Sequence, residues 1–264
     1  ETEVEIESVN NEVRIILEMH EIFRNLSSSL NSFSHVIEPL GFFVDEEEFK
    51  AFLIMEYCEG GDLQKYIEDM KKSGKMISVE DAWLIFSQLV SVISQMHSHK
   101  IIHGDLKLSN VLFTRDRKIK LGDFGLARKL SNKATYVTAN GFTWRYLAPE
   151  LLQSQYQQSI KGLKQQDLVK KKLELRLSSD IWALGIILFE LLAQYHPFLS
   201  KDENLPSIEN FKKVTETDPK TLPLHYPESM RNLILRMLVK DPRQRITIKE
   251  IMQTPEIIAN LAKK

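Results

Sequence analysis

One stretch of this sequence is apolar on almost every side of the helix that it would form. It reads SSDIWALGIILFELLA and covers residues 178–193. A helix that is hydrophobic all round has to be enclosed, either inside a sizeable domain or by lipid. Its strongly apolar part starts only at Ile181, so it is shorter than the roughly 20 residues needed to span a bilayer. We therefore predict a central buried helix inside a large, mainly helical domain.

The sequence before about residue 58 differs in pattern from the sequence after it. Residues 9–19 place apolar side chains at close to helical spacing. Residues 40–57 read as two strands rich in aromatic and branched side chains, joined by an acidic turn. After residue 58 helical patterns predominate, and 264 residues with 43% hydrophobic content can bury a sizeable core. The pattern predicts a small helix-and-strand portion followed by a larger helical one.

Two helix starts in the larger portion are marked by capping residues. Asp62 follows a pair of glycines and is a favourable residue for the first position before a helix. Ser78 is followed three residues later by Asp81, which is close to a capping-box pattern. We predict that helices begin directly after Asp62 and Ser78.

Overall composition excludes several classes of function. The formal net charge of −1 provides no general attraction for nucleic acid or for an anionic membrane surface. The single cysteine, Cys58, excludes an intrachain disulfide framework and a cysteine-cluster metal site. It also fits a reducing compartment, so we expect an intracellular, cytoplasmic protein. The sequence predicts no nucleic-acid partner and no membrane segment, and it leaves the oligomeric state open.

Seven short motifs occur in a fixed order along the chain. They are NEVRII, LIMEYCEGGDL, HGDLKLSN, GDFGLA, TWRYLAPE, SDIWALG and DPRQRIT. In this order and spacing they resemble the eukaryotic protein kinase family of serine/threonine type, from residue 1 to about residue 255. The resemblance implies an α+β, bilobal kinase-like fold with a truncated N-lobe (residues 1–57) and a mainly helical C-lobe (residues 58–264). It also implies ATP and Mg²⁺ as cofactors and a protein substrate with a serine or threonine acceptor.

The resemblance assigns chemical roles to four residues. Phosphoryl transfer depends mainly on positioning, charge neutralisation and an acceptor for the hydroxyl proton. Asp105 is the predicted catalytic base, because a carboxylate there can orient and deprotonate the substrate hydroxyl. Lys107 lies two residues further along an extended loop and can balance the charge on the transferred phosphoryl group. Asn110 and Asp123 supply the hard oxygen ligands that Mg²⁺ prefers.

The segment MEYCE resembles the kinase hinge and therefore predicts where the adenine of ATP binds. Met55 is placed at the back of the adenine pocket, and main-chain groups of Glu56 and Cys58 are expected to pair with the adenine. Leu112 is expected to pack beneath the adenine ring. Asp62 can accept a hydrogen bond from a ribose hydroxyl, although its capping role is an alternative use of the same carboxylate.

Further residues have positioning roles in the same resemblance. Asp180, on the buried helix, is expected to accept hydrogen bonds from the catalytic-loop backbone, since a buried carboxylate needs such partners. Glu150 and Arg245 are expected to form an ion pair that joins the activation segment to the C-lobe. Thr143 matches the threonine that bonds the catalytic aspartate and lysine. His103 is interpreted as a core residue that holds the loop.

Gly104 departs from the family pattern, because the catalytic loop reads His-Gly-Asp where His-Arg-Asp is usual. Small-molecule phosphotransferases that modify antibiotics or choline also carry His-Gly-Asp. They generally lack the lysine at 107, the Ala-Pro-Glu turn at 148–150 and the buried SDIWALG helix, so the motifs favour a protein kinase. The missing arginine normally receives the activation-loop phosphate. We predict a weakened phosphate switch, with Arg128 as the remaining basic candidate and modest effects of phosphorylation at Thr135 or Thr138.

The start of the chain carries a further expectation. The family's ion-pair glutamate is assigned to Glu12, and the glycine-rich loop and ATP-binding lysine that normally precede it are expected upstream of residue 1. The chain is therefore interpreted as a fragment of an active kinase. A truncated pseudokinase that serves as a scaffold is the alternative, but the complete set of Asp105, Lys107, Asn110 and Asp123 favours the enzyme.

Residues 153–176 are predicted to be an insert. Kinases have only a short connection between the Ala-Pro-Glu turn and the buried helix, so the additional residues should leave the core. This segment is rich in glutamine and lysine and has little apolar surface. Its first interpretation is a solvated excursion. The alternative is a docking element for an acidic partner or substrate.

Overall fold

The structure is a computed structural model. The residues that it describes are 13–19, 21–22, 35–45, 50–131, 134, 136–139, 142–153, 173–200 and 207–263. Four predictions made from the sequence concern residues outside these ranges. They involve the ion-pair Glu12, the acidic turn at residues 46–49, phosphorylation at Thr135 and most of the insert, residues 154–172.

The small first portion contains the predicted helix and hairpin. Residues 13–19 and 21–22 are helical, and Ile15, Ile16 and Met19 are buried there. Strands β1 (Pro39–Asp45) and β2 (Lys50–Met55) then pair antiparallel. Both elements confirm the pattern read from the sequence, because helical spacing and aromatic-rich strands are local signals.

The larger portion consists mainly of helices. Helix α1 begins after Asp62, whose side chain accepts a hydrogen bond from the backbone N–H of Lys65. Helix α2 begins after Ser78, which accepts from the backbone N–H of Asp81. Both predicted capping residues are confirmed. The helices of this portion are α1 (Leu63–Lys72), α2 (Val79–Ser98), α3 (Leu177–Ala193), α4 (Ile208–Glu216), α5 (Glu228–Met237), α6 (Ile248–Ile251) and α7 (Pro255–Leu261).

Helix α3 is the buried helix that the sequence predicts. Every residue from 179 to 193 is buried, and α3 packs against α2 and α5. A Cβ atom added at Gly185 would lie 2.9 Å from Leu238 Cδ2 and 3.0 Å from Met237 Cβ, so the glycine permits close approach to the end of α5. Among the described residues, no helix combines the length and apolarity required to cross a bilayer.

Short antiparallel strand pairs surround the loops of the larger portion. The first pair joins segments on either side of residues 103–110, which include the 3₁₀ helix Leu108–Asn110, and the other two pairs follow that loop. The pairs are β3 (Ile101–Ile102) with β6 (Arg128–Lys129), β4 (Val111–Phe113) with β5 (Ile119–Leu121), and β7 (Val137–Ala139) with β8 (Leu173–Leu175).

Strand β8 corrects the prediction made for residues 153–176. The end of that segment does not leave the core, because Leu175 is only 1% exposed and belongs to the main hydrophobic cluster. Glu174, the neighbouring residue, is exposed. This alternation is that of a half-buried strand, and it was hidden in the sequence by the glutamine and lysine residues that precede it.

Candidate active site

Asp180 of α3 anchors the loop at residues 103–107 through hydrogen bonds to its backbone. Asp180 Oδ2 accepts from the backbone N–H of His103, and Oδ1 accepts from that of Gly104, each at 3.0 Å. His97 of α2 places its Nε2 at 2.8 Å from the same Oδ2. The side chains of His97 and Asp180 are 3% and 2% exposed. The predicted role of Asp180 is confirmed, and the partners satisfy a carboxylate that would otherwise be costly to bury.

His103 is a core residue, as the sequence predicts. It is fully buried, and its ring packs against Phe124 with centroids 5.1 Å apart. Its Nδ1 accepts from the backbone N–H of Asp105, while Nε2 lies 3.2 Å from the carbonyl oxygen of Gly122. Burial lowers the pKa of His103, which favours the neutral ring. The histidine thus connects the catalytic loop to the segment that precedes Phe124.

Asp105, Lys107 and Thr143 form one hydrogen-bonded cluster. Lys107 Nζ donates to Asp105 Oδ2, and it donates to Thr143 Oγ1 at 3.2 Å. The backbone N–H of Thr143 donates to Asp105 Oδ1 at 3.2 Å, which confirms the predicted threonine contacts. Lys107 Nζ also lies 3.6 Å from Asp123 Oδ2. One ammonium group therefore lies between two carboxylates, where it can hold both in place and attract a phosphate.

Both predicted metal ligands contact this cluster. Asn110 Nδ2 donates to the main-chain carbonyl of Asp105 at 2.8 Å, which leaves Oδ1 as its donor atom for a cation. Asp123 adopts φ +59° and its side chain is half exposed. A positive φ in a non-glycine residue is a strained conformation that often marks functional sites. It supports a role for this carboxylate beyond packing.

This donor set fits Mg²⁺ better than a metal held wholly by the protein. Among the residues that the structure describes, no group of three or more histidine, cysteine, aspartate or glutamate side chains could hold a metal ion. Mg²⁺ commonly binds one or two protein oxygens and completes its shell with phosphate oxygens and water. Asn110 and Asp123 match that mode, and their assignment as metal ligands stays a prediction.

The predicted hinge is fastened by the side chain of Glu56. Its Oε1 accepts from Lys120 Nζ at 2.6 Å and from the backbone N–H of Glu38 at 2.7 Å. The backbone N–H of Glu56 donates to the carbonyl of Glu38. The main-chain carbonyl is then the group that Glu56 can offer to adenine. The contacts of Glu56 and Cys58 with adenine stay predictions.

Cys58 is a small, nearly buried hinge residue. Burial is the main cause that raises the pKa of its thiol, with the nearby Glu56 carboxylate as a second cause. A raised pKa lowers the thiolate fraction and hence the reactivity. The following Gly60 is required sterically, because an added Cβ would lie 2.6 Å from Phe113 Cβ. The glycine lets the hinge run directly beside β4.

Asp62 and Leu112 are brought together at the end of the hinge. They form an isolated antiparallel bridge, and Leu112 is half-buried. A Cβ atom added at Gly122 would lie 3.5 Å from Leu112 Cδ1, so this side chain contacts the segment that leads to Asp123. Asp62 Oδ1 is used in capping α1. Its predicted ribose contact therefore depends on the second carboxylate oxygen.

Comparison with known proteins identifies the fold. The family model described as "Protein kinase domain" matches residues 3–257. The chain belongs to the protein kinase family. The predicted α+β kinase fold with a helical C-terminal part is confirmed. The division into lobes at residues 57 and 58 stays a prediction.

Curated relatives of this kinase domain carry protein kinase names, and two of the three described here are named serine/threonine kinases. The chain is 31% identical to serine/threonine-protein kinase Nek6 of Oryza sativa subsp. japonica, over 90% of the chain and 39% of that protein. It is 33% identical to serine/threonine-protein kinase Nek11 of Homo sapiens, over 81% of the chain and 29% of that protein. It is 34% identical to the carbon catabolite-derepressing protein kinase of Secale cereale, over 76% of the chain and 34% of that protein. The chain spans less than half the length of each of these relatives.

The predicted ion pair of this kinase domain is present and bidentate. Arg245 donates from Nη1 and Nη2 to the two carboxylate oxygens of Glu150, at 2.9 and 2.8 Å. The Arg245 side chain is fully buried and also donates to the carbonyl of Ser178. The pair therefore joins the turn at residues 148–150 to the start of α3.

Sequence reasoning missed a second buried acid, Glu190 of α3. It accepts a hydrogen bond from the hydroxyl of Tyr146 at 2.8 Å. Burial raises the pKa of Glu190 to about 6 and raises that of the Tyr146 hydroxyl well above its usual value. The available signal was that Glu190 is an acid within an otherwise apolar part of this helix. A charged residue at such a position requires a partner.

Proposed function

We propose that this kinase domain transfers the γ-phosphoryl group of ATP to serine or threonine hydroxyls of protein substrates, with Mg²⁺. The observation that carries the proposal is the cluster of Asp105, Lys107 and Thr143. Asp105 offers a proton acceptor beside the Lys107 cation, on a loop whose backbone donates hydrogen bonds to Asp180 of α3. This is the arrangement that phosphoryl transfer requires.

Asp105 acts as the base in this proposal. Thr143 and Lys107 each donate to one of its carboxylate oxygens, so its orientation is set before substrate arrives. A substrate hydroxyl that donates to Asp105 loses its proton to this carboxylate as the phosphoryl group transfers. Lys107 lies beside the path of the phosphoryl group and offsets its negative charge.

Asn110 and Asp123 would hold Mg²⁺. When bound, this ion neutralises charge on the β- and γ-phosphates of ATP. The part that the chain itself contributes is orientation. The backbone N–H of Gly122 donates to the main-chain carbonyl of Asn110 at 2.9 Å, which keeps the two ligand segments adjacent.

The acceptor class rests on Lys107 and Thr143 together. Both resemble the serine/threonine type of kinase, and the relatives carry that name. The reaction is assigned to a reducing, intracellular compartment because the 264-residue chain has a single cysteine.

The decisive experiment replaces Asp105 with asparagine in the full natural polypeptide that contains these residues. Phosphate transfer from Mg²⁺-ATP to a serine- and threonine-rich test protein should fall roughly 10²- to 10⁴-fold, the usual value of a positioned base. Asp116→Asn, at an exposed turn between β4 and β5, is the matched control and should retain the full rate.

Two results would contradict the proposal. An unchanged rate in Asp105→Asn would exclude this residue as the base. Tight binding of Mg²⁺-ATP without turnover, in the unaltered protein and in both variants, would instead favour the pseudokinase scaffold.

A further inference from the structure

The space beside Gly104 is filled by an apolar side chain. Gly104 adopts φ +81°, and an added Cβ would lie 2.8 Å from Leu175 Cδ1 and 3.1 Å from the carbonyl oxygen of Leu126. The positive φ disfavours any side chain at this position, and an added Cβ would force Leu175 or the Leu126 carbonyl to shift. Leu175 is itself buried, so it has little room to move away. In this chain a leucine from β8 closes the position from which the family's arginine would extend.

The remaining basic candidate near this position is already engaged. Arg128 donates from Nη1 to the carbonyl oxygens of Gly125 and Ala127, at 3.0 and 2.7 Å. Its guanidinium therefore stabilises the backbone just after Asp123. Nη1 of Arg128 is therefore already occupied by backbone acceptors. Thr135 lies outside the described residues, and Thr138 lies in β7.

Strand β8 supplies a different attachment for the activation segment, by which we mean residues 123–150. Its backbone pairs with β7 in the register Val137 with Leu175, Thr138 with Glu174 and Ala139 with Leu173. The Arg176 guanidinium lies 5.2 Å from the ring centroid of Tyr136, next to this pair. Backbone pairing and a cation–π contact are thus two attachments of the segment that do not involve a phosphate group.

The same strand leads directly into the helix that holds the catalytic loop. Leu175 is two residues before the first residue of α3, and Asp180 of α3 accepts from the backbone of His103 and Gly104. The activation segment, Leu175 and the catalytic loop are therefore connected within a few residues. In kinases that have an arginine at the position of Gly104, the bond between this arginine and a phosphate on the activation segment would also connect that segment to the catalytic loop.

We propose that Leu175 is a positioning residue for phosphoryl transfer, and that the β7–β8 pairing takes the place of the activation-loop phosphate and its arginine. The inference rests on the proposed kinase function. It assigns to residues 173–175 the role of positioning the activation segment and the catalytic loop. This role is distinct from any role of residues 153–172. A kinase built this way keeps its activation segment in place without phosphorylation.

The first test breaks the strand pairing without altering the core. Glu174→Pro removes the backbone N–H and restricts φ in the middle of β8, while the exposed side chain contributes little packing. We expect kcat to fall at least roughly 10-fold with the KM for ATP nearly unchanged. Glu174→Ala is the matched control, because it loses the ion pair with Arg176 but keeps the backbone, and it should retain kcat within about two-fold.

The second test asks whether phosphate is needed. Treatment of the unaltered protein with a broad serine/threonine phosphatase, checked by mass spectrometry, should leave kcat within about two-fold. Loss of most activity on dephosphorylation, or equal kcat in Glu174→Pro and Glu174→Ala, would overturn the proposal.

Leu175 is tested with a conservative pair of variants. Leu175→Ala should lower kcat, and Leu175→Met, which preserves side-chain volume, should retain most of it. Gly104→Ala should also lower kcat, and the loss should be smaller when Leu175→Ala is present, because the shorter side chain relieves the 2.8 Å contact. Strictly additive effects would contradict the packing argument.

Hydrogen exchange separates failure of this inference from failure of the proposed function. The amides of residues 136–139 should exchange faster in Glu174→Pro than in Glu174→Ala and should be unaffected by phosphatase. This result is independent of turnover. If it is observed in a protein without kinase activity, the attachment by β8 stands and the catalytic proposal fails.

Discussion

The catalytic loop and the activation segment lie side by side but are held by different forces. The catalytic loop is held by Asp180, a buried carboxylate that accepts hydrogen bonds from two backbone amides and from His97. The outer part of the activation segment is held by backbone pairing of β7 with β8. Buried polar bonds are costly to leave unmade, whereas a strand pair of three residues can open at low cost. We expect that loss of the Asp180 hydrogen bonds unfolds the domain. Loss of the β7–β8 pairing should instead lower the rate of phosphoryl transfer.

The largest expected effect comes from removing the anchor of the catalytic loop. Asp180→Ala leaves the amides of His103 and Gly104 and the ring of His97 without their acceptor. We expect a loss of roughly 3–5 kcal/mol in the free energy of unfolding, measured by urea denaturation. Asp116→Ala is the control at an exposed position and should behave like the unaltered protein. A loss below about 1 kcal/mol would show that water or a rearranged loop replaces the carboxylate.

The ion pair at the base of the activation segment should give the next largest effect. Arg245→Met removes the bidentate partner of Glu150 and the donor to Ser178. We expect a loss of about 3 kcal/mol, since the carboxylate is left partly buried without its partner.

The control for this variant is Arg243→Met, which removes an exposed ion pair with Asp241 and should not change stability measurably. Equal effects of the two substitutions would mean that the burial of Arg245 contributes nothing. Buried polar bonds would then not be what holds the end of the activation segment at Glu150.

Glu190 provides a smaller and pH-dependent effect. Burial raises its folded-state pKa from 4.5 to about 6, so the folded protein binds the proton more tightly than the unfolded chain. Stability should therefore fall as the pH rises from about 4.5 to about 6, by at most about 2 kcal/mol from this group. Because other acids titrate too, the measurement is the difference between the unaltered protein and Glu190→Gln in urea unfolding at pH 4.5 and pH 7. A difference that is constant with pH would contradict the shifted pKa.

The smallest effect is expected from the insert itself. Replacing residues 155–172 with a short Gly-Ser linker that retains β8 should leave stability and peptide kinetics nearly unchanged, since flexible connections differ little in closure entropy. Together with Glu174→Pro, this variant distinguishes the strand from the residues before it. A large rise in KM for a protein substrate, with peptide kinetics intact, would favour the docking alternative.

Local patterns predicted much of the fold and of the candidate site. Capping at Asp62 and Ser78 involves residues three positions apart, so it is visible in the sequence. The buried helix α3 and the hairpin of β1 and β2 were also visible as runs of side chains. Asp105, Lys107, Asn110 and Asp123 were found because their order along the chain resembles a known family. The contacts that Asp180 and Thr143 make were inferred from the same resemblance.

What the sequence alone determined is therefore the starts of α1 and α2, the buried helix α3, the β1–β2 hairpin and the order of motifs that indicates the kinase family. Only the tertiary structure decided what fills the space beside Gly104 and what holds the activation segment. Leu175 and Val137 are 38 positions apart in the numbering and pair through backbone groups, which carry no residue-specific signal. Glu190 and Tyr146 are 44 positions apart and meet through their side chains. Such contacts depend on where the packed core brings distant segments together, and no local pattern encodes that placement.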